Sequence, residues 1–146
     1  MPSPIALQYV AEEPHLAPER GSADAAGLDL RAAAPAIIPP GGRERVSTGV
    51  RVAIPRGHVG LLFGRSSLAS KRDLRPSNAV GVIDADYRGP VLADLRNDGQ
   101  APREIAAGER IVQLVIVPVP AVTLQAVEEL SSTERGGGGF GSTGLA

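Results

Sequence analysis

Apolar and polar residues alternate with a period of two through much of this chain. In "RVSTGVRVAI" (45–54), Val46, Thr48, Val50, Val52 and Ile54 share one face, and Ser47, Gly49, Arg51 and Ala53 share the other. "GLDLRA" sets Leu28, Leu30 and Ala32 opposite Asp29 and Arg31, and "AVTLQAV" (121–127) alternates in the same way. This is the period of a pleated strand with one buried face, so each segment is expected to be a half-buried strand. "IVQLVIVPV" (111–119) is almost continuously apolar, which predicts a strand covered on both faces or packed against another subunit. Only "SSLASKRD" (66–73) has the composition of a short helical turn. With 18 glycines and 13 prolines, the chain is interrupted too often for long helices. The expected class is all-β. A jelly-roll-like barrel or sandwich should occupy residues 1–130 as one domain, followed by a flexible glycine-rich arm over 131–146.

Composition narrows the function. The 146 residues suffice for one domain with a real core. A net charge of -1 gives no electrostatic case for binding nucleic acid or a membrane surface. The absence of cysteine excludes disulfides, thiol catalysis and cysteine metal sites. His15 and His58 lie far apart without ligand spacing, so no histidine zinc site is expected. The opening "MPSPIALQYV" has no basic n-region and no sustained apolar run, so no signal peptide is expected. No stretch approaches the roughly 18 apolar residues of a membrane span. The expectation is a soluble, cytoplasmic protein.

Five stretches depart from simple strand logic. "AGLDLRA" (26–32) holds Asp29 between leucines, and "GRSSLASK" (64–71) combines Gly64, Arg65, Ser66 and Ser67. "NAVGVIDADYRG" (78–89) sets Asn78, Asp84, Asp86, Tyr87 and Arg88 around apolar Val82 and Ile83. "GERIVQL" (108–114) places Gln113 inside an apolar strand, and "RGGGGFGSTG" (135–144) sets Arg135, Phe140, Ser142 and Thr143 among glycines. Each has a plain structural explanation. Arg65 with its two serines can cap a turn, "DADYRG" can be a charged hairpin tip, Gln113 can be a satisfied core amide, Asp29 can pair with an arginine, and the glycines can be linker.

Taken together, the five stretches point to one ligand. Arg65, Ser66, Gln113 and Arg135 are donors suited to phosphate oxygens, and glycine-rich backbone adds free N–H groups. Tyr87 and Phe140 offer flat faces for a sugar and a base. Asn78 has both a donor and an acceptor for a base edge. Asp84 is a carboxylate able to activate water. Asp29 is placed to reach the hydration shell of a magnesium ion held mainly by substrate phosphates, with no direct protein ligand. A nucleoside triphosphate satisfies all of these. Neither the Walker signature nor a dinucleotide fingerprint is present, so a β scaffold must hold the phosphates.

In order and spacing, "AGLDLRA", "GRSSLASK", "GVIDADYRG", "GERIVQL" and "RGGGGFGSTG" make the chain resemble the homotrimeric dUTPases. The resemblance runs from about residue 26 into the arm. It implies a jelly-roll subunit, a homotrimer with shared active sites, Mg²⁺, and hydrolysis of dUTP to dUMP and pyrophosphate. It implies that Asp84 activates the attacking water and contacts the 3′-hydroxyl, while Tyr87 packs under the deoxyribose. Asn78 and the following backbone, with Gly81, would read the uracil edge. Val82, Ile83 and Leu92 would wall the nucleoside. Arg65, Ser66, Ser67 and Gln113 would hold the phosphate chain. From a neighbouring subunit's arm, Phe140 would stack on uracil and Arg135 would take the γ-phosphate, with Gly141, Ser142 and Thr143 beside them. Where the family's second motif reads Arg-Ser-Gly-Leu, this chain has Ser67 in place of glycine. That form is similar to the dCTP deaminases, which share the fold. Deamination of dCTP, alone or with dUTP hydrolysis, is therefore the rival activity, and a non-catalytic nucleotide-sensing or partner-binding role is the rival of another kind.

Overall fold

The computed structural model of the chain describes residues 3–144. Met1, Pro2, Leu145 and Ala146, the outermost residues of the expected domain and arm, lie outside the described residues. In chain order the strands are β1 (Gln8–Ala11), β2 (Glu19–Arg20), β3 (Leu28–Arg31), β4 (Ala36–Ile38), β5 (Arg43–Ser47), β6 (Val50–Ala53) and β7 (His58–Gly64). After helix α1 (Ser66–Arg72) come β8 (Leu74–Pro76), β9 (Gly81–Ile83), β10 (Leu92–Asn97), β11 (Arg103–Ile105) and β12 (Arg110–Pro118). The class is all-β, as the alternation predicts, and the one α-helix among the described residues falls where "SSLASKRD" places it. No helix among the described residues is long and apolar enough to cross a membrane.

The strands form four small antiparallel sheets: β1-β6, β5-β10-β8, β11-β4 and the five-stranded β2-β3-β12-β7-β9. They enclose one apolar cluster that includes Leu30, Ile38, Val46, Val50, Val52, Ile54, Leu95, Ile105, Ile111 and Leu114. The face predicted to point inward at 45–54 does so: Val46, Thr48, Val50, Val52 and Ile54 are all buried. Burying the Thr48 hydroxyl is tolerated because it donates to the Val91 carbonyl at 2.8 Å.

Two expectations need correction. The segment 45–54 is two strands, since Gly49 takes a φ of +66° and breaks the ladder. β5 then pairs with β10, and β6 with β1. A Cβ at residue 49 would also fall 2.6 Å from a Leu16 methyl. The second correction concerns 121–127, which joins no strand. Val122 and Leu124 are 75% and 92% exposed. The last tie to the body is the Val119 N–H to the Gly57 carbonyl at 2.8 Å. Pro118 and Pro120 carry no N–H, so the ladder cannot continue past β12. Alternation there marks apolar side chains on an extended segment that the rest of the chain does not cover.

One buried amide organises the turn after β10. Asn97 is fully buried, donates to the carbonyls of Ile38 and Ala101 at 2.9 and 2.8 Å, and accepts the Gly99 N–H at 2.9 Å. Next to it, hydrogen bonds from Arg75 first and Arg96 second hold the Asp98 carboxyl below its ordinary pKa. Asn97→Ala should strand three backbone groups at once and lower stability by about 2–4 kcal/mol in chemical unfolding. A variant within about 0.5 kcal/mol of the parent would mean that those groups find other partners.

Candidate active site

Four of the five unusual stretches meet on the five-stranded sheet. β3 carries Asp29 and β12 carries Gln113. β7 runs directly into Arg65, and β9 is the strand before Asp84. Register does the rest: Gln113 lies opposite Asp29 on one side and Phe63 on the other. Gln113 is half-buried. Its room comes from Gly27, where a Cβ would fall 2.6 Å from the amide oxygen.

The Asp29 side chain is only 15% exposed and lies between two arginines. Its Oδ1 is 3.5 Å from Arg65 Nε, and its Oδ2 is 3.3 Å from Arg110 Nη1. The arginine pairing considered for Asp29 is therefore present, and it orients Arg65. Arg65 is the N-cap residue of α1 in extended conformation, and its side chain makes no capping bond. Ser66 and Ser67 begin the helix, where backbone N–H groups have no intrahelical acceptor. Arg65, Ser66 and Ser67 thus present donors outward, and the plain turn-cap explanation does not account for Arg65. Arg110 went unassigned in the sequence, although "GERIVQL" contains it; the signal was a guanidinium in the strand paired with Asp29.

A separate cavity of about 190 Å³ is lined by Leu62, Asn78, Gly81, Val82, Ile83, Tyr87, Pro90, Val91 and Leu92. Every residue expected to wall or read the nucleoside is on this wall. Leu62, Pro90 and Val91 were not anticipated; Leu62 enters because β7 pairs it with Gly81. Two turns shape the cavity. At the first, Ala79 takes a φ of +62° and the Val80 N–H bonds to the Asn78 carbonyl at 2.7 Å. This is a γ-turn in the strained sense for a residue with a side chain. At the second, the Tyr87 N–H reaches the Asp84 carbonyl at 3.1 Å. Arg88 clamps this turn by donating to the carbonyls of Ala85 and Tyr87 at 2.7 and 3.0 Å. The Tyr87 hydroxyl donates to the Pro90 carbonyl at 2.9 Å, which fixes the ring. A side chain at Gly89 would place its Cβ 2.5 Å from that hydroxyl. Asp84 follows Ile83 with its side chain exposed. It stands free to meet water and is not itself part of the wall.

The arm forms a third group. Turns closed by Gly138 N–H to the Arg135 carbonyl and Ser142 N–H to the Gly139 carbonyl, each at 3.1 Å, curl it on itself. They gather Thr133, Glu134, Arg135, Gly138, Ser142 and Thr143 around an open hollow of about 820 Å³. Phe140 projects from it fully exposed, at a φ of +52°. Gly141 follows at +83°. No described arm residue lines the 190 Å³ cavity of its own chain. No group of three or more His, Cys, Asp or Glu residues gathers as a metal cage among the described residues.

Comparison with known proteins agrees with this geometry. The family model described as dUTPase matches residues 13–144. The deoxyuridine 5′-triphosphate nucleotidohydrolase of Anaeromyxobacter sp. (strain Fw109-5) is 49% identical over 146 residues, covering 99% of both chains. The protein of the same name from Corynebacterium glutamicum is 49% identical over 87% of this chain and 86% of its own. Among solved structures, the Staphylococcus bacteriophage 80alpha dUTPase with dUPNHPP superposes with a TM-score of 0.88 at 34% identity, over 96% of this chain and 99% of that one. The dUTPase of Streptococcus mutans gives 0.76 at 35% identity, over 82% and 99%. With motifs, fold and near full-length identity in agreement, the chain belongs to the dUTPase family of nucleotidohydrolases.

Proposed function

We propose that this chain hydrolyses dUTP to dUMP and pyrophosphate by in-line attack of water on the α-phosphate, as a homotrimer. The observation that carries the reading is the 190 Å³ cavity walled by Asn78, Gly81, Val82, Ile83, Tyr87 and Leu92, with the Asp84 carboxylate free immediately beyond β9. In this reading the base enters the cavity and meets Asn78 and the adjoining backbone. The sugar rests on the Tyr87 ring, which the Pro90 carbonyl holds in place. Asp84 accepts a proton from the attacking water. Arg65, Ser66, Ser67 and Gln113 take the phosphate chain, and positioning with electrostatics does most of the work.

No described arm residue lines the cavity of its own chain, which supports a site completed by a neighbour's arm. The exposed apolar row of Val122, Leu124 and Leu130 supports a segment that crosses onto another subunit. The arm then brings Arg135, Phe140, Gly141, Ser142 and Thr143 over a partner's cavity and excludes bulk water. Asp29 lies beside the phosphate donors, 15% exposed and with an arginine on each oxygen, so it would meet an oxygen-seeking Mg²⁺ carried on the substrate phosphates only through that ion's water shell. When bound, that ion would neutralise charge on the phosphates. The product dUMP would feed thymidylate synthesis, and loss of dUTP would limit uracil in DNA.

The test is a substrate panel of dUTP, dTTP, UTP and dCTP, with pyrophosphate and ammonia measured separately. A buried hydrogen-bonding site can discriminate by about 10⁴–10⁵ against a ligand with the reversed pattern, so dCTP should be turned over least. The 5-methyl of dTTP should be refused on steric grounds. UTP should gain activity when Tyr87→Ala opens space for its 2′-hydroxyl. Stoichiometric ammonia from dCTP would make Ser67 the mark of a deaminase and overturn the reading.

A further inference from the structure

We infer that Glu109 and Arg110 are positioning residues that brace the two ends of α1, and with it the phosphate-binding segment. The inference rests on the proposed role of Arg65, Ser66 and Ser67 as phosphate contacts. Arg110 holds Asp29 Oδ2, and Asp29 Oδ1 holds Arg65 at the N-cap of α1. Its neighbour Glu109 bonds through Oε1 to Arg72 Nη1 in the last turn of α1. The other Glu109 oxygen accepts the Ala106 N–H at 2.9 Å, so the carboxylate is locked into its own turn. That turn is in turn fixed to the sheet. Gly108 N–H reaches the Ala32 carbonyl at 2.7 Å, Ala32 N–H reaches the Glu109 carbonyl at 2.8 Å, and Arg31 donates to the Gly108 carbonyl at 2.9 Å.

Two adjacent residues therefore tie both ends of one helix to one rigid point. α1 has seven residues, too short to be stable or oriented by itself. Half-exposed ion pairs add little to global stability. Their effect here is directional: they decide where Arg65 and the Ser66 and Ser67 side chains point. Misplacement of such groups by about 1 Å can cost on the order of 10²-fold.

The experiment uses the full chain, with Arg110→Gln and Glu109→Gln made separately. Inhibition of dUTP hydrolysis by pyrophosphate and by deoxyuridine is measured beside the melting temperature. Each variant should raise the KM for dUTP and the inhibition constant for pyrophosphate by roughly 10- to 100-fold. Deoxyuridine inhibition and melting should stay close to the parent, because the nucleoside cavity shares no residue with the brace. Arg72→Glu alone should behave like Glu109→Gln. Unchanged pyrophosphate inhibition in both single variants would overturn the inference. So would an effect confined to Arg110, which would make it a direct phosphate contact, and so would equal weakening of both inhibitors, which would make the role one of general folding. If the parent does not hydrolyse dUTP, the proposed function fails first, before any variant is read.

Discussion

Asp84→Asn is expected to keep nucleotide binding near that of the parent while hydrolysis slows by about 10²–10⁴. The amide has the same shape and still accepts hydrogen bonds, but it cannot take a proton from water at neutral pH. The carboxylate lies in the exposed turn after β9, and its backbone carbonyl already accepts the Tyr87 N–H. The exchange therefore leaves the turn and the cavity wall as they are. Single-turnover rates with dUTP, beside binding of a non-hydrolysable analogue, separate the two effects. Turnover near the parental rate would mean that another group activates the water.

Removal of residues from Glu134 onward should leave the body folded and assembled, yet reduce turnover by on the order of 10²-fold or more. The described arm residues bond chiefly to one another, so the core loses little. In the proposed site they supply Arg135, Phe140, Ser142 and Thr143 and shut out solvent. Melting, molecular mass in solution and steady-state rate are to be measured on the same preparation. A truncated protein that works at full rate would return the glycine run to the status of linker.

The sequence was most legible where one physical rule acted alone. The inward face from Val46 to Ile54 followed from period two, and α1 from a short polar run without β-branched residues. The strand break at Gly49 was harder, because its cause is a backbone angle that alternation does not encode. The misreading at 121–127 has the same root. Alternating apolar residues do not by themselves show that the rest of the chain covers them, and the prolines at 118 and 120 were the better signal. In the candidate site, much of the cavity wall was readable from "NAVGVIDADYRG", because Asn78, Gly81, Val82, Ile83 and Tyr87 are close in sequence. Leu62 and Arg110 were missed because each reaches the site through strand pairing, Leu62 to Gly81 and the β12 register to β3. Chemistry carried on one loop shows in a linear reading, whereas chemistry assembled across a sheet needs the register.

Gly27 and Gly89 extend the site's influence on the chain beyond the residues that do its work. The first faces the Gln113 amide and the second the Tyr87 hydroxyl, at separations where an added Cβ would force the facing group to move. If Gln113 and Tyr87 serve the proposed site, the need to keep them constrains these glycines as well, because an added Cβ at either position would push the opposing side chain aside. A larger residue at position 27 would force the Gln113 amide to swing away, and one at position 89 would displace the Tyr87 ring from the Pro90 carbonyl, so each glycine sets the orientation of a side chain without touching a ligand.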